Sequence, residues 1–137
     1  MGSPAGQPDA TLLLGIAVGG VVGSLGRYAV GLALPHPVGS FPWSTLLVNL
    51  SGALAMGLLV AFLLDRPGAH RLARPVVGVG MLGGWTTFSA FAVDVVTLLD
   101  AGHGGEAGAY VLASFLGGVL AVTVGSVAGQ RIWRMAE

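Results

Sequence analysis

Apolar side chains run along this chain in four long blocks, and the polar residues gather between them. The blocks are Thr11–Leu34, Trp43–Leu64, Pro75–Leu99 and Gly108–Gln130. A bilayer core of about 30 Å is crossed by about 20 helical residues, so each block is long enough to span it. The connections carry turn chemistry: Pro35-His36-Pro37 with Phe41-Pro42, then Asp65–Arg74 with Pro67-Gly68, then Asp100–Ala107 with Gly102, Gly104 and Gly105. The pattern predicts an all-α membrane protein, a single domain of four antiparallel helices over residues 1–137, with nothing left over for a soluble domain or a cofactor module. Met1–Ala10 has no basic stretch, and the first block runs on through Arg27-Tyr28 without a small-residue cleavage site, so it reads as a retained helix. Trp43 and Trp133 fall at span ends, where interfacial aromatics belong.

Composition removes the alternatives. Charged residues make up 9% of the chain, against about 25% in soluble domains, which excludes a water-soluble globule. Residues 28–64, 75–93 and 107–130 carry no charge at all. With no cysteine there is no disulfide, thiolate metal site or cysteine nucleophile, and a net charge of zero leaves no basic footprint for nucleic acid. The basic residues set the topology. Arg66, Arg71, Arg74, Arg131 and Arg134 fall on the side that also holds the termini, and the other two loops hold no Lys or Arg. The positive-inside rule therefore places both termini in the cytoplasm, with the chain multi-pass in the cell membrane. The histidines, His36, His70 and His103, are assigned to loops, and no catalytic constellation is visible, so an enzyme is not expected.

Within the spans the small and polar positions are ordered. Gly15, Gly19 and Gly23 step by four along one face of the first span, and Arg27 continues the row. Such a row predicts a seam where a neighbouring backbone comes close. In the last span Tyr110, Ser114, Gly118, Val122 and Ser126 also step by four, so hydroxyls lie along one stripe and need partners or a wet cavity. Arg27 and Asp94 are the charges inside the spans, and ionisable groups there are functional candidates or members of a structural ion pair. Asn49 sits mid-span with Thr45 one turn before it. The segment Gly83-Gly84-Trp85-Thr86-Thr87-Phe88-Ser89 pairs two glycines with two β-branched residues, poor helix formers that predict a break in the third span. A break at that depth frees carbonyls that must be covered by protein or bind a cation. Beyond it Phe88, Phe91 and Asp94 recur every three residues on one face.

Three motifs in order, Gly23-Ser24-Leu25-Gly26-Arg27-Tyr28, Thr45-Leu46-Leu47-Val48-Asn49-Leu50-Ser51-Gly52 and Gly83–Phe91, with Tyr110 and Ser114 on the fourth span, resemble the Fluc (CrcB) fluoride channels. The third motif is the specific one. The resemblance implies an antiparallel, dual-topology-type dimer with two fluoride pores and a structural sodium ion at its centre, held by backbone carbonyls that here would be those of Gly83 and Thr86. It implies that Phe88 and Phe91 present ring edges to the anion, that Asn49 lines the pore, and that Thr45, Thr87, Tyr110 and Ser114 form a polar track. Three positions depart from the family pattern: Asp94 stands for a usual glutamate, Ala90 for a threonine, and Gly118 for a track hydroxyl.

Fluoride is small and strongly hydrated, so a selective pore must replace its water with close donors that release it again, as hydroxyls, an amide and ring edges do. Passive export of cytoplasmic fluoride is the expected role. A non-conducting partner subunit of a heterodimeric channel is the alternative that Ala90, Asp94 and Gly118 suggest. A small proton-coupled multidrug exporter is the other, disfavoured because the first span holds Arg27 and no acid. Two copies with five arginines on one side cannot readily insert in opposite directions, which predicts a heterodimer with a similar four-span chain of reversed bias rather than a homodimer.

Overall fold

The computed structural model describes residues 9–65 and 71–134. All of its regular structure is helical: α1 (Ala10–Ala33), α2 (Trp43–Asp65), a π-wound segment (Ala73–Leu82) running into α3 (Gly83–Trp85), then α4 (Phe88–Asp100) and α5 (Gly104–Arg134). Four helical stretches are long and apolar enough to cross a membrane, the third being Ala73–Asp100. They coincide with the four apolar blocks to within a few residues. The fourth begins earlier than its hydropathy suggests. His103 accepts the Ala107 N–H at 3.0 Å, and Glu106 lies in the first turn, where a helix favours negative charge. The third begins at Ala73 rather than Pro75, because a proline within the first turn removes an N–H that has no helical partner anyway. Arg66 and His70 lie outside the described residues, as do the side chains of Trp133 and Arg134.

The spans pack as two close pairs. α1 lies along the π-wound segment and α3, α2 lies along α5, and thinner contacts join the pairs. In lipid there is no hydrophobic drive between helices, since acyl chains are as apolar as leucine, so association depends on close van der Waals packing and hydrogen bonds. Glycine provides the approach. A Cβ on Gly19 would stand 2.6 Å from the Val76 carbonyl oxygen and one on Gly80 would stand 2.6 Å from that of Ile16; one on Gly23 would strike the Met81 carbonyl. The α2–α5 crossing is built the same way, with Gly57 against Val122 O and Gly125 against Leu54 O. Asp9 caps α1 by accepting the Thr11 N–H at 3.0 Å and pairs with Arg71, joining the start of the first span to the start of the third.

A small interior closes the opposite end. Leu46, Leu98, Ala107 and Tyr110 are buried together, with Phe41, Leu50, Phe91, Val95 and Ala113 around them. Large apolar side chains otherwise face outward along α1, α4 and α5, Leu14, Leu25, Val93, Leu116 and Leu120 among them, as lipid-facing positions require.

Candidate functional site

Helical winding in the third span stops after Trp85. Thr86 has φ −79° and ψ 160° and Thr87 has φ −151° and ψ 123°, both extended, before α4 resumes at Phe88. Backbone groups displaced at this depth need partners, and side chains supply them. Asn49 Nδ2 donates to the Thr87 carbonyl at 3.0 Å while its Oδ1 accepts the Thr87 N–H at 2.8 Å. Arg27 Nη1 donates to the Thr86 carbonyl at 2.9 Å, and Thr87 Oγ1 caps α4 by accepting the Ala90 N–H at 3.1 Å. The Thr86 hydroxyl and N–H both return to the Leu82 carbonyl, at 2.9 and 3.0 Å.

These bonds redirect the helical ladder. An uninterrupted helix would send the Thr87 N–H to the Gly83 carbonyl and the Ala90 N–H to the Thr86 carbonyl. Asn49 and the Thr87 hydroxyl take those two donors instead. The Gly83 and Thr86 carbonyls are thereby released from the partners a regular helix would give them. A primary amide carries two donor hydrogens, so Asn49 keeps one N–H beyond its bond to Thr87.

A groove of about 500 Å³ opens beside this point, lined by Asn49, Thr86, Thr87, Phe88, Phe91, Ser114, Gly118 and Gly83 among others. Ser114 Oγ is buried and has no hydrogen-bond partner among the described residues. The Phe88 and Phe91 ring centroids lie 5.7 Å apart; Phe88 is 76% exposed, whereas Phe91 packs 5.2 Å from Tyr110. Tyr110 in turn meets Phe41 edge-on at 5.6 Å and donates its hydroxyl to Asp94 Oδ2 at 3.3 Å, with the Thr45 hydroxyl in reach of the same phenol. The groove thus brings together the Asn49 amide, the Thr87 and Ser114 hydroxyls and the Phe88 and Phe91 rings, whereas Thr45, Tyr110 and Asp94 lie beyond its lining, toward the end bearing the 34–42 connection. Arg27 stands apart, behind the interruption, and does not pair with Asp94.

Asp94 has a neighbour that the sequence did not reveal. His36 Nε2 lies 3.8 Å from Asp94 Oδ1, and His36 Nδ1 lies 3.4 Å from Ser44 Oγ. The available signal was positional: His36 and Asp94 belong to the same end of the bundle, and prolines on both sides hold His36 in an extended segment.

Fold and groove define a small multi-pass membrane protein with an amide, hydroxyls and two phenylalanine rings on a mostly apolar groove. The family model described as "CrcB-like protein, Camphor Resistance (CrcB)" matches residues 14–126. A relative from Nocardia farcinica, "Fluoride-specific ion channel FluC 2", is 39% identical over 132 residues, 95% of this chain and 94% of its own length. Proteins named "Fluoride-specific ion channel FluC" from Sphingopyxis alaskensis and Paracoccus denitrificans are 45% identical over 116 residues and 44% identical over 120, covering 84% and 88% of this chain and 92% and 95% of theirs. The chain belongs to the CrcB family, a family of ion channels rather than enzymes.

Proposed function

We propose that this chain is a subunit of a fluoride-selective channel that lets cytoplasmic fluoride leave passively down its gradient. The observation that carries this reading is the groove: the spare N–H of Asn49, the unpartnered hydroxyl of Ser114 and the rings of Phe88 and Phe91 converge on one space without a fixed positive charge. Close neutral donors replace the water of a small anion, and binding shared over several weak sites lets it leave. In proteoliposomes the expected result is fluoride efflux that strongly exceeds chloride efflux and needs no ATP. Chloride flux equal to fluoride flux, or neither with a verified dimer, overturns the reading.

The groove is open on one side, with Phe88 and Gly83 exposed, and the proposed cover is an antiparallel second subunit. A structural sodium ion at the centre of that dimer suits the Gly83 and Thr86 carbonyls. Both are released from the helical ladder, a Cβ at Gly83 would meet nothing within 4 Å, and the Thr86 oxygen keeps a second lone pair beyond its bond to Arg27. When bound, the ion supplies a central positive charge that favours anions nearby. The arginine count makes the second subunit a similar four-span chain of opposite orientation rather than another copy, with both termini of this chain in the cytoplasm. Labelling an added terminal cysteine in intact cells tests this: cytoplasmic placement alone is expected, and equal labelling from both sides shows a dual-topology homodimer. The second reading, a subunit with an impaired pore, draws on Gly118, which leaves the groove without a hydroxyl one turn from Ser114. A complete channel whose fluoride flux falls when this chain carries Phe88→Ile decides against it.

A further inference from the structure

We propose that His36 is a proton-controlled counter-charge that masks the Asp94 carboxylate, one helical turn beyond the Phe91 that lines the groove. This rests on the fluoride-channel reading above. Asp94 lies one α4 turn beyond Phe91, and a bare carboxylate there repels any anion arriving at the rings. The Tyr110 hydroxyl donates to Asp94 Oδ2 at 3.3 Å but leaves the negative charge in place. A cation held beside it offsets that charge, and His36 supplies one when protonated, its Nε2 lying 3.8 Å from Asp94 Oδ1. That separation is too long for a hydrogen bond and within reach of an ion pair, so the link depends on the imidazole being charged. The side chains of His36 and Asp94 are 27% and 16% exposed, so the attraction is only partly screened while protons still reach the ring from water. Ser44 Oγ, 3.4 Å from Nδ1, accommodates both states, since a hydroxyl donates to the neutral ring and accepts from the charged one.

The surrounding titratable groups are few. Asp94 on α4 faces His36, and Tyr110 on α5 reaches the other oxygen of the same carboxylate. His103, between α4 and α5, holds the Gly39 carbonyl at 2.8 Å through Nδ1 and so packs on the same connection. Asp100 and Glu106, at the same end, are exposed, and the described residues place no Arg there. Protonation of the imidazole therefore masks Asp94 and opens the path to anions.

The test is fluoride efflux from proteoliposomes holding the complete channel, with pH varied equally on both sides from about 8 to about 5.5 and the flux of protein-free vesicles subtracted at each pH. The wild-type flux is expected to rise at least about threefold toward acid as the imidazole charges. His36→Gln keeps hydrogen bonding without the charge and should hold flux low and flat, His36→Lys should hold it high and flat, and His103→Gln should retain the wild-type profile. A flat wild-type profile, or a His36→Gln profile that matches a rising wild type, overturns the proposal. Absence of fluoride flux at every pH overturns the channel reading itself, and the proposal with it.

Discussion

The crossing of α2 and α5 and the groove beside α3 are both built with glycine, and the same residue does opposite things in them. At the crossing, Gly57 and Gly125 are buried, and a Cβ on either would strike a carbonyl of the facing helix. Around the groove, Gly83 and Gly118 would each present a Cβ to open space, with nothing within 4 Å. At the crossing the missing side chain lets two backbones touch; at the groove it leaves room. Gly118 and Gly125 lie on one helix only two turns apart, so helix geometry alone cannot distinguish the roles. What stands opposite does.

The largest effect that would break this comparison is at the crossing. Gly125→Val should destabilise the protein by about 3 kcal/mol, or prevent recovery of a folded dimer, because the obstruction is the Leu54 backbone and not a movable side chain. Thermal unfolding in detergent and size-exclusion profiles measure it. A variant as stable as the parent would show that the seam is not close packed.

Asn49→Ala comes next and acts on both regions together. It leaves the Thr87 N–H and carbonyl without their side-chain partners, which costs about 1–3 kcal/mol in stability. It also removes a donor from the groove; a lost interaction of about 1.4 kcal/mol corresponds to about tenfold in flux. Fluoride efflux reduced no further than the folded fraction would assign Asn49 to the backbone alone.

Phe88→Ile and Phe91→Ile separate function from packing within the groove. Volume is roughly kept while the positive ring edge is lost, so both should lower fluoride flux by about tenfold. Their stabilities should differ: Phe88 is 76% exposed and its loss should change little, whereas Phe91 packs on Tyr110 and should cost about 1 kcal/mol. Normal conduction by both variants would make the rings packing elements.

Much of this arrangement could be read before any coordinates, and the limits have physical causes. Four spans follow from apolar run length, because a bilayer sets a length that each run must meet. The Gly15–Gly23 row was legible as a seam since residues four apart share a helix face, and that face meets the third span. The π winding of Ala73–Leu82 was not legible, because ten residues are too few for side-chain spacing to separate one helical pitch from another. At the candidate site, Asn49 and Thr87 stood out as polar residues at membrane depth, but their double hydrogen bond joins α2 to the third span and leaves no mark in local sequence. His36 was assigned to a connecting loop, and its place beside Asp94 arises from how that loop folds over the bundle end.

The smallest effect is the sharpest test of the comparison, because it uses the same helix as the largest. At Gly118 a serine meets no atom within 4 Å, so no steric cost is expected. Replacing a mid-helix glycine should stabilise α5 by a few tenths of a kcal/mol, about 0.5 at most. The new hydroxyl would lie one turn from Ser114, whose Oγ is buried without a partner among the described residues, and on the same groove. Gly118→Ser should therefore leave unfolding unchanged or slightly raised while increasing fluoride flux by about twofold, through one more weak site along the path. Gly125→Ser, with the same side chain two turns further on, should lose stability against the Leu54 carbonyl and gain no flux. If both serines behave alike, in stability and in efflux, then what faces each glycine does not set its role.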